Sequence, residues 1–161
     1  MNSKPKTAIQ QNDEPLDLAH STGHLIRIAH RSFQQSLQTR LVNSGVKLSH
    51  WHCLRYLWEE GGLTQKELSK RVHVNESTIV AVIQEMEEIG LIKRVRTPLD
   101  RRKYSLSLTL KAKRLTKKLL PVAREVNKQG TRNMTDLETK QLNTLIQNII
   151  ANLEEIKTKR N

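Results

Sequence analysis

The order of local patterns from Leu63 to Thr109 constrains the fold of this chain more than any other feature. Thr64 and Glu67 form a predicted capping box, in which each side chain accepts a hydrogen bond from the other residue's backbone N–H at a helix start. Asn75 is a favourable N-cap for a second helix, and Gly90 is placed to end that helix. The second helix carries an apolar stripe of Ile79, Val82, Ile83, Met86 and Ile89. We therefore predict two short helices joined by a tight turn.

Two extended stretches, 91–97 and 103–110, follow the second helix and flank a turn that contains a proline and paired arginines. In the later stretch, leucines alternate with serine and threonine, which predicts a strand with one buried face. The inward residues of that strand would be Leu106, Leu108 and Leu110. The predicted order is helix, turn, helix, strand, basic hairpin and strand, which is the order of a winged helix-turn-helix. That fold class binds DNA.

The distribution of charge favours a nucleic-acid partner. The net charge is +12, and such a basic chain is suited to a polyanion. Between Leu91 and Lys118 the sequence has eleven Lys or Arg and one acid, Asp100. Because an ordinary solvated surface mixes its signs more evenly, this concentration predicts contact with nucleic acid. Only 3% of the residues are aromatic, so few side chains can stack on single-stranded bases, which favours duplex DNA.

Several blocks of sequence resemble the MarR family of bacterial transcription regulators. The most specific is the wing pattern, in which an Asp-Arg-Arg turn is followed by Leu-Thr. The blocks that carry the resemblance are 63–68, 76–78, 87–94, 100–102 and 108–109. More loosely, the resemblance extends over about residues 18–157 and includes flanking helices that form the dimer in the family. It implies a transcription regulator that binds a pseudo-palindromic operator in double-stranded DNA.

The predicted fold is mainly α with a small β-hairpin wing, and the winged helix-turn-helix is flanked by N- and C-terminal dimerisation helices. We predict an N-terminal mobile tail over 1–15 and one domain over 16–161. Within that domain, the winged helix-turn-helix occupies 46–110 and the dimerisation helices occupy 18–43 and 111–157. The terminal helices carry more apolar surface than one small winged helix can bury, which favours a homodimer with a two-fold axis. A monomeric helical bundle is the alternative.

The second helix of the unit is the predicted recognition helix. If its apolar stripe faces inward, Ser77, Ala81 and Gln84 lie opposite the stripe and Thr78 lies on its flank. Gln84 can pair with an adenine edge, and the Ala81 methyl group suits a thymine methyl group. The predicted contacts of this helix are Asn75, Ser77, Thr78, Ala81 and Gln84. For Ser77 and Thr78 the alternative is a purely local role at the helix start.

The wing supplies the remaining predicted DNA contacts. Arg102 resembles the family arginine that enters the minor groove, and Asp100 would hold its guanidinium group. A narrow minor groove attracts arginine because its negative potential is enhanced. Alternatively, Asp100 and Arg102 pair only to shape the hairpin. Basic residues beside them are predicted to contact DNA, mainly its phosphates: Arg94, Arg96, Arg101 and Lys103.

The resemblance also implies a small-molecule effector, since family members commonly bind small aromatic anions between the dimer helices and the DNA-binding unit. Arg27 or His24 can take a carboxylate and Trp51 can stack on a ring. The predicted ligand site is His24, Arg27, His50, Trp51 and Arg55. The alternative is that Trp51 is a core residue and Arg27 a solvated one.

Other functions find little support in the sequence. It contains no glycine-rich phosphate loop, zinc-protease motif or nucleophile elbow, so we do not expect an enzyme, and we predict no cofactor and no metal. Cys53, the one cysteine, is expected to be a buried thiol in a reducing cytoplasm. No apolar run is long enough to span a membrane. The sequence thus predicts a cytoplasmic homodimeric repressor released from DNA by a small aromatic acid. The alternative is an RNA- or chromatin-associated architectural protein without sequence preference.

Overall fold

The computed structural model describes residues 17–96 and 104–159, and the chain divides into two compact units, 1–32 and 33–161. The predicted tail over 1–15 and the turn between the two strands lie outside the described residues. The described part is mainly helical with one two-stranded hairpin, as predicted. Its elements are α1 (Thr22–Leu41), a 3-10 turn (Val42–Ser44), α2 (Leu48–Glu59), α3 (Gln65–Arg71), α4 (Glu76–Glu88), β1 (Ile92–Arg96), β2 (Tyr104–Leu108), α5 (Leu110–Gly130) and α6 (Asp136–Thr158).

In the first unit, the described residues form a turn and the N-terminal half of α1. The carboxylate of Asp17 bonds to the His20 ring, and this bond lowers the pKa of Asp17. The large apolar side chains of this segment are exposed at Leu18, Leu25 and Ile28.

The second unit is built around α2, which packs against α3, α4, α5 and β2. Its core is a single cluster of apolar side chains that links these elements. Among the largest fully buried members are Trp51, Leu54, Leu68, Ile79, Ile83, Met86, Leu91 and Leu106. Because residues of α3, α4 and the hairpin share this cluster, the helices and the wing are held by one core.

The helix starts follow the predicted capping chemistry. Thr64 N donates to Glu67 Oε2 at 2.8 Å, and Glu67 N donates to Thr64 Oγ1 at 3.3 Å, which completes the capping box of α3. A second capping box joins Thr135 and Glu138 at the start of α6. Each box satisfies backbone donors that a helix start otherwise leaves without a partner.

The turn between α3 and α4 has a left-handed residue. His73 has a φ of 55°, and Val74 N donates to Ser69 O at 3.1 Å. Together these features close α3 with the six-residue hydrogen bond of a Schellman motif. A side chain other than glycine is strained in this conformation by roughly 1 kcal/mol, so the chain accepts a local cost to set the direction of α4.

Two sequence predictions are wrong in detail. Leu110 is 73% exposed, because Thr109 Oγ1 accepts from Ala112 N and starts α5 where we predicted the end of the strand. Ile89 is 41% exposed, since α4 ends at Glu88 and Ile89 lies at its C-cap.

Helix α6 carries an apolar stripe that the isolated chain leaves largely exposed. Leu145 is 61% exposed and Leu153 is 55% exposed. None of the described side chains of α6 is buried. The predicted stripe of this helix comprises Leu142, Leu145, Ile146, Ile149, Leu153 and Ile156. Within 17–96 and 104–159, no helix combines the length and the apolar composition needed to cross a membrane.

Candidate DNA interface

Helix α4 presents one face to the core and the opposite face to solvent. Ile79, Ile83 and Met86 are at most 1% exposed, and Val82 is half-buried. The residues predicted to face DNA are all exposed: Asn75, Ser77, Thr78, Ala81 and Gln84. The arrangement holds a short polar row on a helix whose inner face is firmly packed.

The side chains at the start of α4 are engaged with one another. Asn75 Oδ1 accepts from Thr78 N at 2.8 Å and from Ser77 Oγ at 2.9 Å. Asn75 is therefore the N-cap, as predicted, and Ser77 has the local partner that the alternative interpretation foresaw. A contact of Ser77 with DNA would use the oxygen lone pairs that remain or exchange this hydrogen bond.

The two strands of the wing pair in antiparallel register, with Ile92 opposite Leu108 and Arg96 opposite Tyr104. Arg94 Nε donates to Glu87 of α4 at 3.1 Å. The Arg96 guanidinium carbon lies 5.9 Å from the centre of the Tyr104 ring, within the range of a cation–π contact. The wing predictions Asp100, Arg101, Arg102 and Lys103 lie outside the described residues.

Three contacts fasten the wing and α5 to the helices. Leu106 N donates to Leu63 O at 2.8 Å. Thr109 Oγ1 donates to Gly90 O, and Lys111 Nζ donates to Ile89 O, each at 2.7 Å. The lysine satisfies a carbonyl at the C-terminal end of α4, where a cation is also favoured by the helix dipole. This role of Lys111 is not visible in the sequence, because Lys111 and Ile89 are 22 residues apart.

A charged cluster joins α4 to the start of α2. Glu85 accepts from Lys47 Nζ at 2.9 Å and bonds to His50 Nε2 at 3.0 Å. These contacts, with Lys47 first, lower the pKa of Glu85 from its ordinary value of 4.5. His50 is 2% exposed, and its Nδ1 has no partner among the described residues. The position of α4 is therefore coupled to a buried histidine on α2.

We expect Glu85→Gln to lower the stability of the protein near neutral pH. The stability of the variant should also depend less on pH in the acid range. A carboxylate with a lowered pKa contributes stability above its ordinary pKa and loses it as the pH falls through its folded pKa. The stability gap between wild type and variant should therefore close below about pH 4. Urea unfolding followed by circular dichroism between pH 7 and pH 3 measures it, with Glu88→Gln as an exposed control. A constant gap across this range would contradict the prediction.

The residues predicted to bind a ligand occupy different environments. His24 is half-buried and Arg27 is exposed, both on the first turns of α1. Trp51 is 1% exposed and belongs to the core, so its ring faces are covered in this structure. Arg55 is exposed and pairs with Glu59 at 3.4 Å. His50 is buried in the cluster with Glu85.

Within the described residues, the buried thiol and the metal-ligating side chains do not form a second site. Burial raises the pKa of the Cys53 thiol to about 12, and a protonated buried thiol is a poor nucleophile. In the part of the chain that the structure describes, no three His, Cys, Asp or Glu side chains converge as metal ligands.

The capped helix pair, the packed helix α4 and the antiparallel hairpin define the class: this is a winged helix-turn-helix protein. Residues 46–104 match the model of the MarR family. A Thauera aromatica protein named as a transcriptional regulator for the hcr operon is 36% identical over 86 residues, or 53% of this chain and 52% of that protein. The chain therefore spans about half the length of this relative.

Two solved structures share the fold. The PcaV transcriptional regulator from Streptomyces coelicolor, crystallised with its natural ligand, is 27% identical with a TM-score of 0.73, over 85% of this chain and 96% of that one. BpsR from Bordetella bronchiseptica, whose DNA binding is regulated by 6-hydroxynicotinic acid, is 21% identical with a TM-score of 0.75, over 84% of this chain and 96% of that one. The match over residues 46–104 and the named relatives confirm the resemblance to the MarR family. Its named relatives are regulators rather than enzymes.

Proposed function

We propose that the protein is a homodimeric, sequence-specific repressor that binds a pseudo-palindromic operator in duplex DNA. The observation that carries this proposal is the exposed row of Ser77, Ala81 and Gln84 on a helix whose opposite face is fixed in the core. Base recognition requires such a helix, because a displacement of about 1 Å would break bidentate contacts in the major groove.

Each exposed group has a matching partner in DNA. Gln84 pairs with an adenine edge, and the Ala81 methyl group packs on a thymine methyl group. Thr78 and Asn75 contact the sugar-phosphate backbone of the DNA beside these bases. Arg94 and Arg96 approach phosphates from β1, with Arg94 exchanging its bond to Glu87. The remaining proposed contacts come from the wing turn and are Asp100, Arg101, Arg102 and Lys103.

The dimer is proposed from the terminal helices over 18–43 and 111–157. The exposed stripe on α6 includes Leu145 and Leu153, and a monomer that exposes so continuous a stripe would be prone to association. A closed two-fold dimer buries the stripe of both chains and places two recognition helices for two half-sites. We place the winged helix-turn-helix at residues 46–110. We further propose that the protein acts in the cytoplasm, which is the compartment that suits a regulator of transcription.

The experiment that tests DNA recognition is selection from random-sequence duplexes, followed by competition against a scrambled duplex of the same length. We expect the selected duplex to bind about 1,000-fold tighter or more at physiological salt. Equal affinities would contradict sequence-specific binding and support the alternative of an architectural protein. A preference for hairpin RNA over both duplexes would contradict it as well.

We further propose that a small aromatic carboxylate releases the protein from DNA. The regulation of BpsR by 6-hydroxynicotinic acid supports an effector of this chemistry. Arg27, Arg55 and His24 are the proposed anion contacts, because their side chains are at least partly exposed. Trp51 and His50 are buried, so a ligand reaches them only if α2 shifts.

A shift of α2 would also displace α4, the proposed recognition helix, because His50 Nε2 on α2 bonds to Glu85 Oε2 on α4 at 3.0 Å. A ligand changes DNA affinity only by binding the free and the DNA-bound conformations unequally. By reciprocity, operator DNA must weaken ligand binding by the same factor.

We expect Arg27→Ala to weaken binding of the effector about ten-fold or more, since a charge-assisted hydrogen bond to a carboxylate contributes roughly 1.5–3 kcal/mol. DNA affinity without the effector should stay unchanged. A calorimetric screen of benzoate, cinnamate and nicotinate identifies the acid, with Arg31→Ala as the control one turn further along α1. Absence of binding at millimolar concentration, or binding that leaves the DNA complex intact, would contradict this proposal.

A further inference from the structure

Helix α5 carries a row of exposed cations that the proposed half-site contacts do not use. Lys113, Lys117, Arg124 and Lys128 are all exposed, and their spacing follows the helical repeat. At about 100° per residue, the four side chains lie within about 60° of one another. With a rise of about 1.5 Å per residue, the row is about 22 Å long. We call these four residues the α5 ridge.

No carboxylate neutralises the α5 ridge among the interactions of residues 17–96 and 104–159. The ion pairs of the described residues involve other cations, such as Lys47, Arg71 and Arg94. Glu125 is the one acidic residue in α5. Its carboxylate accepts a hydrogen bond from Gln129 Nε2 at 3.0 Å. The four cations of the ridge are therefore left without an acidic partner among the described residues.

The first turn of α5 carries positive charges, which the positive end of the helix dipole disfavours. The first turn contains Lys111 and Lys113 and no acid, although the positive end of the helix dipole favours acids there. Lys111 is used at the C-terminal end of α4. No contact within the described chain explains Lys113, and an arrangement that opposes local preference is typical of a functional surface.

The α5 ridge begins at the DNA-binding unit. Thr109, the N-cap of α5, bonds to Gly90 O at the end of α4. Lys111 Nζ bonds to Ile89 O at 2.7 Å. These two bonds tie the first turn of α5 to the C-terminal end of the recognition helix, so the ridge extends from that unit along one rigid element.

We propose that the α5 ridge binds the phosphate backbone of duplex DNA outside the half-site that α4 and the wing contact. This inference rests on the proposed DNA binding and extends it to the flanking sequence. Duplex DNA is the partner that fits, because its charge density is about one negative charge per 1.7 Å of axis, and the row can follow several phosphates. Flanking DNA would bend toward α5 to reach the distal end of the row.

The test compares two duplexes that contain the same selected operator, one of about 20 bp and one of about 40 bp. We expect Lys117→Gln with Arg124→Gln to weaken binding of the longer duplex about ten-fold, and to lower its salt slope by about two units. Binding of the shorter duplex should change less than about two-fold. Arg132→Gln with Lys140→Gln is the matched control, since it removes the same charge from exposed positions outside the ridge.

Circular dichroism checks that both double variants remain folded, and Lys113→Gln with Lys128→Gln serves as a second ridge variant. Equal losses on the two duplexes, or losses in the control variant as large as in the ridge variant, would overturn the inference. The inference would also be overturned if the ridge variants bind DNA unchanged but lose binding to phosphatidylserine vesicles. If the wild-type protein does not bind the shorter duplex, the proposed function fails with it; if only the length dependence is missing, the ridge proposal alone fails.

Discussion

Replacing Leu145 and Leu153 together by glutamate is expected to convert the protein into a monomer and to weaken operator binding about 100-fold or more. The two side chains are 61% and 55% exposed on the apolar stripe of α6. Burial of a leucine in an interface contributes roughly 1.5–3 kcal/mol, and each replacement acts in both chains of a dimer. An unpaired carboxylate in the same place adds a desolvation cost. Sedimentation velocity measures the assembly, and a binding titration measures the DNA affinity.

The matched control for the dimer is Leu137→Glu with Ile150→Glu. These residues are on the same helix and are 66% and 50% exposed, but at about 100° per residue they lie roughly a quarter turn or more from the centre of the stripe. The control should remain dimeric. Dimers in both double variants, or monomers in both, would contradict an interface formed by this stripe.

Arg102→Ala is expected to weaken binding of the selected operator by roughly 1–3 kcal/mol, which is the range of a good groove contact. The expectation comes from the resemblance of Arg102 to the family arginine of the minor groove. Binding of a scrambled duplex should fall much less, because a groove contact depends on the width and sequence of the site. Titrations of both duplexes at several salt concentrations measure the difference.

The neighbouring residue provides the control for the wing. Lys103→Ala should weaken the selected and scrambled duplexes alike and lower the salt slope by about one unit, as expected for a phosphate contact. Equal small effects of the two substitutions on both duplexes would show that the wing does not enter the groove. Full retention of affinity by Arg102→Ala would support a role in shaping the hairpin alone.

Features that depend on a few neighbouring residues were predictable from the sequence. The capping box of Thr64 and Glu67 and the N-cap Asn75 each involve groups three residues apart, so their chemistry is visible in the sequence. Gly90 has a φ of 70°, and Leu91 N donates to Met86 O at 2.8 Å, which completes the predicted helix end. The inward face of α4 follows from the helical repeat in the same way.

Features that depend on competition between two local preferences, or on partners distant in sequence, were not predictable from the sequence. For Leu110, strand alternation predicted an inward side chain, but the cap that Thr109 forms with Ala112 N starts α5 there instead. The bond from Lys111 to Ile89 O and the pair of Arg94 with Glu87 require the folded chain. Trp51 illustrates a different difficulty, because a tryptophan on an amphipathic helix suits both a core and a ligand site, and only its burial separates them.

Two copies of the chain are proposed to bind a two-fold DNA site through α4 and the wing. Hydroxyl-radical footprinting on the selected duplex, with the stoichiometry measured by sedimentation, tests it most directly. We expect two chains per duplex and two protected half-sites with centres about 10 bp apart or a small multiple of that distance. A stable monomer that protects one half-site, or protection spread evenly along the duplex, would contradict it.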